Sequence, residues 1–233
     1  MNRYTELDGI ILKNSRIGEF HKGVRIFSPE YGITEATAYG GYKPKSKIGP
    51  LVSPLACGHF VLYQSPSARK PKIEDFSPEY TFLSIQTDIK KYYTVLTWFE
   101  VVMRTHGGGD SSSELFYLLI AFMQLLEAAK EEDILYINVQ FILRFLNLMG
   151  FPPVSYFQKE DYVVESNKLS PGIFKYLDYT LGLPAAEAVH IRLGRKDAAL
   201  LEQSVLSMVQ TVLECRLNTL SGAFDIVRNS DEI

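Results

Sequence analysis

The chain has 233 residues, 46 % of them hydrophobic, enough for one large or two small domains and too apolar for a disordered protein. The formal net charge of −3 hides a split: residues 1–73 carry 11 Lys+Arg against 5 Asp+Glu, hence +6, and the remainder 13 against 22. Two distant cysteines, Cys57 and Cys215, exclude a disulfide framework and point to a reducing cytosol.

The first residues, Met1 to Leu12, hold Arg3, Glu6 and Asp8 and lack the apolar block of a signal peptide. Short strand patterns follow at Gly9–Lys13, Val24–Ser28, Gly32–Tyr39, within Leu55–Gln64, and at Tyr80–Gln86. Turn residues separate them: Asn14-Ser15, Pro29 to Gly32, Gly40-Gly41, Gly49-Pro50 and Ser65-Pro66-Ser67. Five strands at this pitch predict a small β-barrel of the OB type. After Thr87 the period becomes helical, with Ile89, Tyr92, Tyr93, Leu96, Phe99, Val102 and Met103 in one stripe. Ser111 and Glu114 stand at capping-box spacing before a second helix. Its apolar stretch, Leu115–Ala129, is too short for a membrane span and is interrupted by Gln124. Ile134–Met149 reads as the central helix of a bundle, Phe151–Lys168 as an irregular connection, and Ser170–Leu181 and Asp197–Leu220 as further helices. The tail beyond Ala223 reads as frayed. The expected class is α+β: an N-terminal five-stranded OB-fold β-barrel in residues 1–86 and an all-helical bundle domain in residues 87–233.

Tyr39-Gly40-Gly41-Tyr42-Lys43-Pro44-Lys45-Ser46-Lys47 is the strongest local feature. If this segment is extended, Lys43, Lys45 and Lys47 share a side. Cations neutralise phosphates, and the rings of Tyr39 and Tyr42 can stack on unpaired bases. Arg16, Lys22 and Arg25 add charge, as do Arg69, Lys70 and Lys72 in the loop before the fifth strand. A solvated lysine loop and buried strand tyrosines are the competing readings. His21, His59, His106 and His190 show no zinc-ligand spacing. Cys57 and His59 share a strand face without a third orienting group, which is poor material for a nucleophile. Gly107-Gly108-Gly109-Asp110-Ser111 lacks the ending of a phosphate loop and reads as a helix connection, and Glu131-Glu132-Asp133 as a solvated turn.

The run Gly9-Ile10-Ile11-Leu12, Gly18-Glu19, Ile26-Phe27-Ser28 and Glu30-Tyr31-Gly32 resembles the RecO family of bacterial DNA-repair proteins. Ala38, Gly40 and Lys43 to Lys47 match a basic family stretch around a Pro-Lys-Ser core, with Pro54 and Tyr63 at the fourth strand. Phe145 to Pro153 looks like the family's helix ending in Gly-Tyr-x-Pro. Departures are visible: no cysteine between Val154 and Lys168 where many members carry four zinc ligands, His21 in place of an acidic residue, Tyr42 in place of an arginine, and Gly222-Ala223-Phe224 after Leu220-Ser221.

The resemblance implies a recombination mediator, not an enzyme. Such a protein binds single- and double-stranded DNA, anneals complementary strands, and helps load RecA together with RecR and the single-stranded-DNA-binding protein. It implies a cytoplasmic, bacterial location beside the nucleoid, with no cofactor, no metal here and no membrane. Lys43, Lys45, Lys47, Arg16, Lys22, Arg25, Tyr39 and Tyr42 are the expected DNA-binding residues. A protein-interaction module with weak or no DNA binding stays open, and an enzyme built on Cys57 and His59 ranks last.

Overall fold

Strands in the first part form around short apolar runs separated by turn residues. They are β1 (Tyr4–Ile17), β2 (His21–Ser28), β3 (Gly32–Ala38), β4 (Cys57–Tyr63) and β5 (Lys72–Tyr80). The computed structural model describes residues 3–107, 111–158 and 169–220. The strands close in the order β1-β2-β3-β5-β4, antiparallel except for β3 and β5, which meet in parallel at Thr37 and Lys72. That circular order makes the barrel an OB fold. Inward residues of alternating register fill it: Leu7, Ile11, Val24, Ile26, Ala36, Ala38, Phe60, Leu62, Ile73 and Phe76.

The fifth strand is displaced from its expected position. The run Tyr80–Gln86 does not form it; β5 ends at Tyr80, and Leu83–Thr87 is a short helix, α1. Only Ile73 and Phe76 of β5 face the core, three residues apart. A bulge reconciles them with the sheet: Ile73 pairs with Leu62 and Asp75 with Val61, leaving Glu74 extra. Strict alternation is therefore broken, and the polar stretch around Pro78 hides the strand.

No regular element joins β3 to β4. The connection folds inward as successive turns, and its Val52 belongs to the barrel core, with Ile48 and Ala56 packed against it. Where it rejoins the sheet, Leu55 adopts φ 75°, donating its N–H to Ile11 O at 3.0 Å. Ile11 N–H in turn donates to Ala56 O at 2.9 Å. A bulge in β1 between Ile11 and Lys13 lies at the same place.

The helices are α2 (Ile89–Thr105), α3 (Ser113–Ala128), α4 (Glu131–Leu148), α5 (Pro153–Phe157), α6 (Pro171–Leu181), α7 (Ala185–Ala188) and α8 (Arg195–Val212), with a 3-10 turn at Asn218–Leu220. Among the described residues none is long and apolar enough to cross a membrane. The chain divides into one compact unit of Met1–Leu83 with Val102–Tyr117 and another of Ser84–Val101 with Leu118–Ile233.

Within the first unit, Phe27 faces out of the barrel and packs on His106 and Phe116, with ring centroids 5.9 and 5.8 Å away. Ser111 does not cap α3. Its hydroxyl donates to Pro29 O at 3.0 Å beside the Ser112 N–H, and the helix starts two residues later.

Within the second unit, α4 is buried along most of its length, as its all-round apolar pattern predicts. It begins three residues before the expected Ile134. Glu131-Glu132-Asp133 is its first turn rather than a loop, where carboxylates favour the helix N-terminus and Asp133 accepts the Lys130 N–H at 3.3 Å. Trp98 stacks on Phe141 at 4.4 Å, and its Nε1–H donates to Asn138 Oδ1 at 2.9 Å. Asn138 in turn donates to Glu202 Oε1 at 3.1 Å. The expected irregular connection contains α5, and α8 stops at Val212, short of the expected Leu220. Glu100 holds the residues beyond it: its carboxylate accepts the backbone N–H groups of Asn218 and Thr219, both at 2.9 Å.

Asn138→Ala leaves the buried Trp98 N–H without an acceptor. The expected outcome is a loss of about 1–3 kcal/mol, read as a lower urea midpoint of the fluorescence of Trp98, the chain's single tryptophan.

Candidate nucleic-acid interface

At one mouth of the barrel two segments meet. The turn Gly18–Phe20 joins β1 to β2, pairing Ile17 with His21 and Arg16 with Lys22. Lys22 shares the inward register of Val24 and Ile26, but at the strand end where the barrel opens. Its ammonium donates to Gly49 O at 2.7 Å and Val52 O at 3.4 Å, and burial lowers its pKa. The β3–β4 connection folds back onto the turn. Tyr42 N–H donates to Phe20 O, and Gly40 N–H to His21 Nδ1, both at 2.9 Å.

Rings and cations alternate over this surface. The Tyr42 ring has Arg16 at 5.4 Å and Lys22 at 5.1 Å from its centroid. Lys43 lies 5.8 Å from the Phe20 ring, and Tyr39 meets His21 edge-on at 4.8 Å. Tyr39, Tyr42 and Phe20 are 57 %, 42 % and 40 % exposed, so neither tyrosine is a buried strand residue.

Lys43, Lys45 and Lys47 are exposed, but not through the extended geometry that period-two spacing requires. The segment folds as tight turns: Lys43 N–H donates to Gly40 O at 2.9 Å and Ser46 N–H to Lys43 O at 3.0 Å. Gly40 sits at φ 69°, which favours glycine. At Gly49 a Cβ would lie 2.0 Å from Gly41 O, so the loop closes only over a bare backbone. Among the described residues no carboxylate comes within ion-pair distance of Lys43, Lys45 or Lys47.

Other basic residues are directed elsewhere. Arg25 lies three positions from Lys22 in β2, an odd spacing that puts it on the outer wall. There its Nε meets Glu35 Oε1 at 3.0 Å, and Lys70 meets the other carboxylate oxygen at 2.5 Å. Lys70 first and Arg25 second hold the Glu35 pKa below its ordinary value. With Lys13 these side chains line a cleft of about 280 Å³. Lys72 pairs with Glu74 at 2.5 Å, while Arg69 is exposed. The structure thus gathers Arg16, Lys22, Tyr39, Tyr42 and Lys43 at the mouth and separates Arg25 from them.

Another stretch of the wall is acidic. His59 bonds Asp8 at 2.7 Å and lies 3.7 Å from Glu6; the Asp8 bond is the main cause of its raised pKa, with charge from Glu6 and Glu79 adding to it. The Cys57 thiol is pushed up to about 12 by burial and by the charges of Glu79 and Asp8, so its thiolate is scarce at neutral pH.

Sequence reasoning missed Phe20 and the partners of Arg25. The available signal for Phe20 was an aromatic residue inside a Gly-Glu turn, where no core can receive it. Gly108 to Asp110 of the glycine loop, residues 159–168 of the stretch lacking zinc ligands, and Gly222-Ala223-Phe224 lie outside the described residues. Among those described, no three His, Cys, Asp or Glu side chains form a metal cluster.

Two family models match: one described as Recombination protein O N terminal over residues 1–73, the other as Recombination protein O C terminal over residues 86–158. The chain is 28 % identical over 149 residues to a protein named DNA repair protein RecO from an Exiguobacterium species, covering 64 % of this chain and 58 % of that one. A protein of the same name from Caldanaerobacter subterraneus is 22 % identical over 152 residues, covering 65 % and 60 %. Another from a Synechocystis species is 23 % identical over 175 residues, covering 75 % and 62 %. The matched part is less than two thirds of each relative's length.

Glu35→Gln keeps the shape of the outer wall and releases Arg25 and Lys70. The expected outcome is tighter oligonucleotide binding at low salt, with a slope of log affinity against log salt steeper by about one to two. Fluorescence anisotropy measures both; unchanged values would exclude the outer wall from binding.

Proposed function

The chain belongs to the recombination protein O family of DNA repair proteins, and from that premise we propose that it is a recombination mediator holding DNA at the barrel mouth. It binds single- and double-stranded DNA and anneals complementary strands without covalent chemistry. Residues 1–86 are the nucleic-acid-binding domain and residues 87–233 its helical companion. Lys43, Lys45 and Lys47 contact phosphates, supported by Arg16 and Lys22 at the mouth and by Arg25 on the outer wall. Tyr39 and Tyr42 contact bases. RecR and the single-stranded-DNA-binding protein are its partners, RecA loading its downstream effect, and the bacterial cytoplasm, beside the nucleoid during repair, its location.

One observation carries this reading: Lys43, Lys45 and Lys47 are exposed without carboxylate partners among the described residues, and Lys43 stands with Arg16 and Lys22 against the exposed rings of Phe20 and Tyr42. Phosphate contacts give affinity with little sequence preference. Neutralising two strands at once lowers their mutual repulsion, which is the physical requirement for annealing.

A second reading, a protein-interaction module with weak or no DNA binding of its own, is favoured by a cleft of about 830 Å³ in the second compact unit. Ile134, Leu135, Leu193 and Ala198 line it, with Lys90, Arg192 and Arg195 set among Glu131, Glu132 and Glu202; Lys90 pairs with Glu131 at 2.6 Å. Its apolar walls suit the apolar side chains of a short peptide, such as a partner's tail.

The test is a Lys43, Lys45 and Lys47 triple alanine variant. The expected outcome is weaker binding to a labelled single strand and a salt slope shallower by about two. Annealing followed by energy transfer between two labelled strands should slow in parallel. Unchanged affinity and slope would remove the lysines from the interface. A pull-down with the tail of the single-stranded-DNA-binding protein, positive in the absence of DNA binding, would favour the second reading.

A further inference from the structure

We propose that Phe20 makes the barrel mouth prefer unpaired over paired DNA, by offering its ring face to a base; this rests on the nucleic-acid reading of the same mouth.

The barrel does not need a phenylalanine there. Phe20 is the last residue of the β1–β2 turn, 40 % exposed, and is absent from the core that fills the barrel. The pairing of Ile17 with His21 defines the turn, and its link to the neighbouring loop runs through the backbone carbonyl of Phe20, which any residue supplies. A polar side chain would serve the turn equally and avoid leaving an apolar ring in water.

The turn that carries the ring is nevertheless held in place. The bond from Tyr42 N–H to Phe20 O, at 2.9 Å, ties the turn tip to the basic loop, so little backbone ordering remains to be done on binding. Of the three exposed rings, Tyr42 carries two cations and Tyr39 is engaged by His21. Phe20 has a single cation, Lys43, whose ammonium lies at 5.8 Å, near the outer limit of a cation–π contact. That leaves it, like Tyr39, with one partner, and that partner is an ammonium able to take the phosphate of the nucleotide whose base it stacks.

Stacking supplies the discrimination that charge does not. Lysine–phosphate contacts form on single strands and duplexes alike. An aromatic face gains only from a base with an open face, which unpaired strands present and the interior of a duplex does not.

The experiment uses the full chain, wild type, Phe20→Leu and Phe20→Trp, with three labelled probes of equal length: an oligo-dT strand, a duplex, and an abasic strand. Phe20→Leu keeps apolar bulk and loses the π-face. It should weaken oligo-dT binding about tenfold, the order of one lost stacking contact. Duplex and abasic binding should stay unchanged, and Phe20→Trp should retain or exceed wild-type affinity for oligo-dT. Equal losses on all three probes, or no loss on oligo-dT, would overturn this role for Phe20 and leave the phosphate interface standing. Absence of wild-type binding to every probe at low salt would overturn both.

Discussion

Lys22 reaches from the end of β2 to the carbonyls of Gly49 and Val52 while lying beneath the ring of Tyr42. This one ammonium joins the barrel wall to the β3–β4 connection. Gly49 O, which the barrel mouth would otherwise strip of water, finds a charged donor in it, and Val52 O takes a longer bond from it beside the one from Asn14 Nδ2 at 3.0 Å. The connection, which has no helix or strand, is thereby pinned where Val52 can complete the core. Its exposed lysines are then presented by a fixed frame instead of a loose loop. The lowered pKa of Lys22 reflects the cost of half-burying the charge, offset by those carbonyls.

The first four strands were legible from short apolar or alternating runs between turn residues; strict alternation fails in β1 and β2, where Ile10, Leu12 and Phe27 are buried beside the inward Ile11 and Ile26. β5 was not, because a bulge at Glu74 places Ile73 and Phe76 on one side at odd spacing. The run from Tyr80 to Gln86 has enough apolar residues to resemble a strand, yet α1 takes most of it. In the helical part, α4 announced itself by being apolar all round. Its start did not, since an acidic first turn and a solvated loop have the same composition. Ser111 carried the letter pattern of a cap, but a local pattern cannot register that Pro29, 82 residues away in sequence, competes for the hydroxyl.

For the candidate interface, residue types were legible and directions were not. The net +6 of residues 1–73 counts Arg25, Lys70 and Lys72 as fully as Lys43, Lys45 and Lys47. Cross-strand register decides otherwise, setting Arg25 opposite Glu35 and bringing Lys70 to the same carboxylate. Pairing of exposed groups contributes little to stability. It does determine which charges a ligand meets unopposed. Lys43, Lys45 and Lys47 are exposed by tight turns, not by the extended strand that their spacing supposed.

Glu6, Asp8 and His59 lie toward the start of β1, and Arg16 and Lys22 at its far end. Along β1 the side-chain charge thus changes sign between Glu6 and Arg16. In the field of a polyanion such a charge pattern experiences a torque that turns its cationic end forward before any atom touches. Collisions thus arrive pre-aligned, and raising ionic strength shortens the distance over which the alignment operates to the Debye length, roughly 8 Å at physiological salt. In such a field the stretch around Glu6 and Asp8 is repelled while the end bearing Arg16 and Lys22 is drawn in.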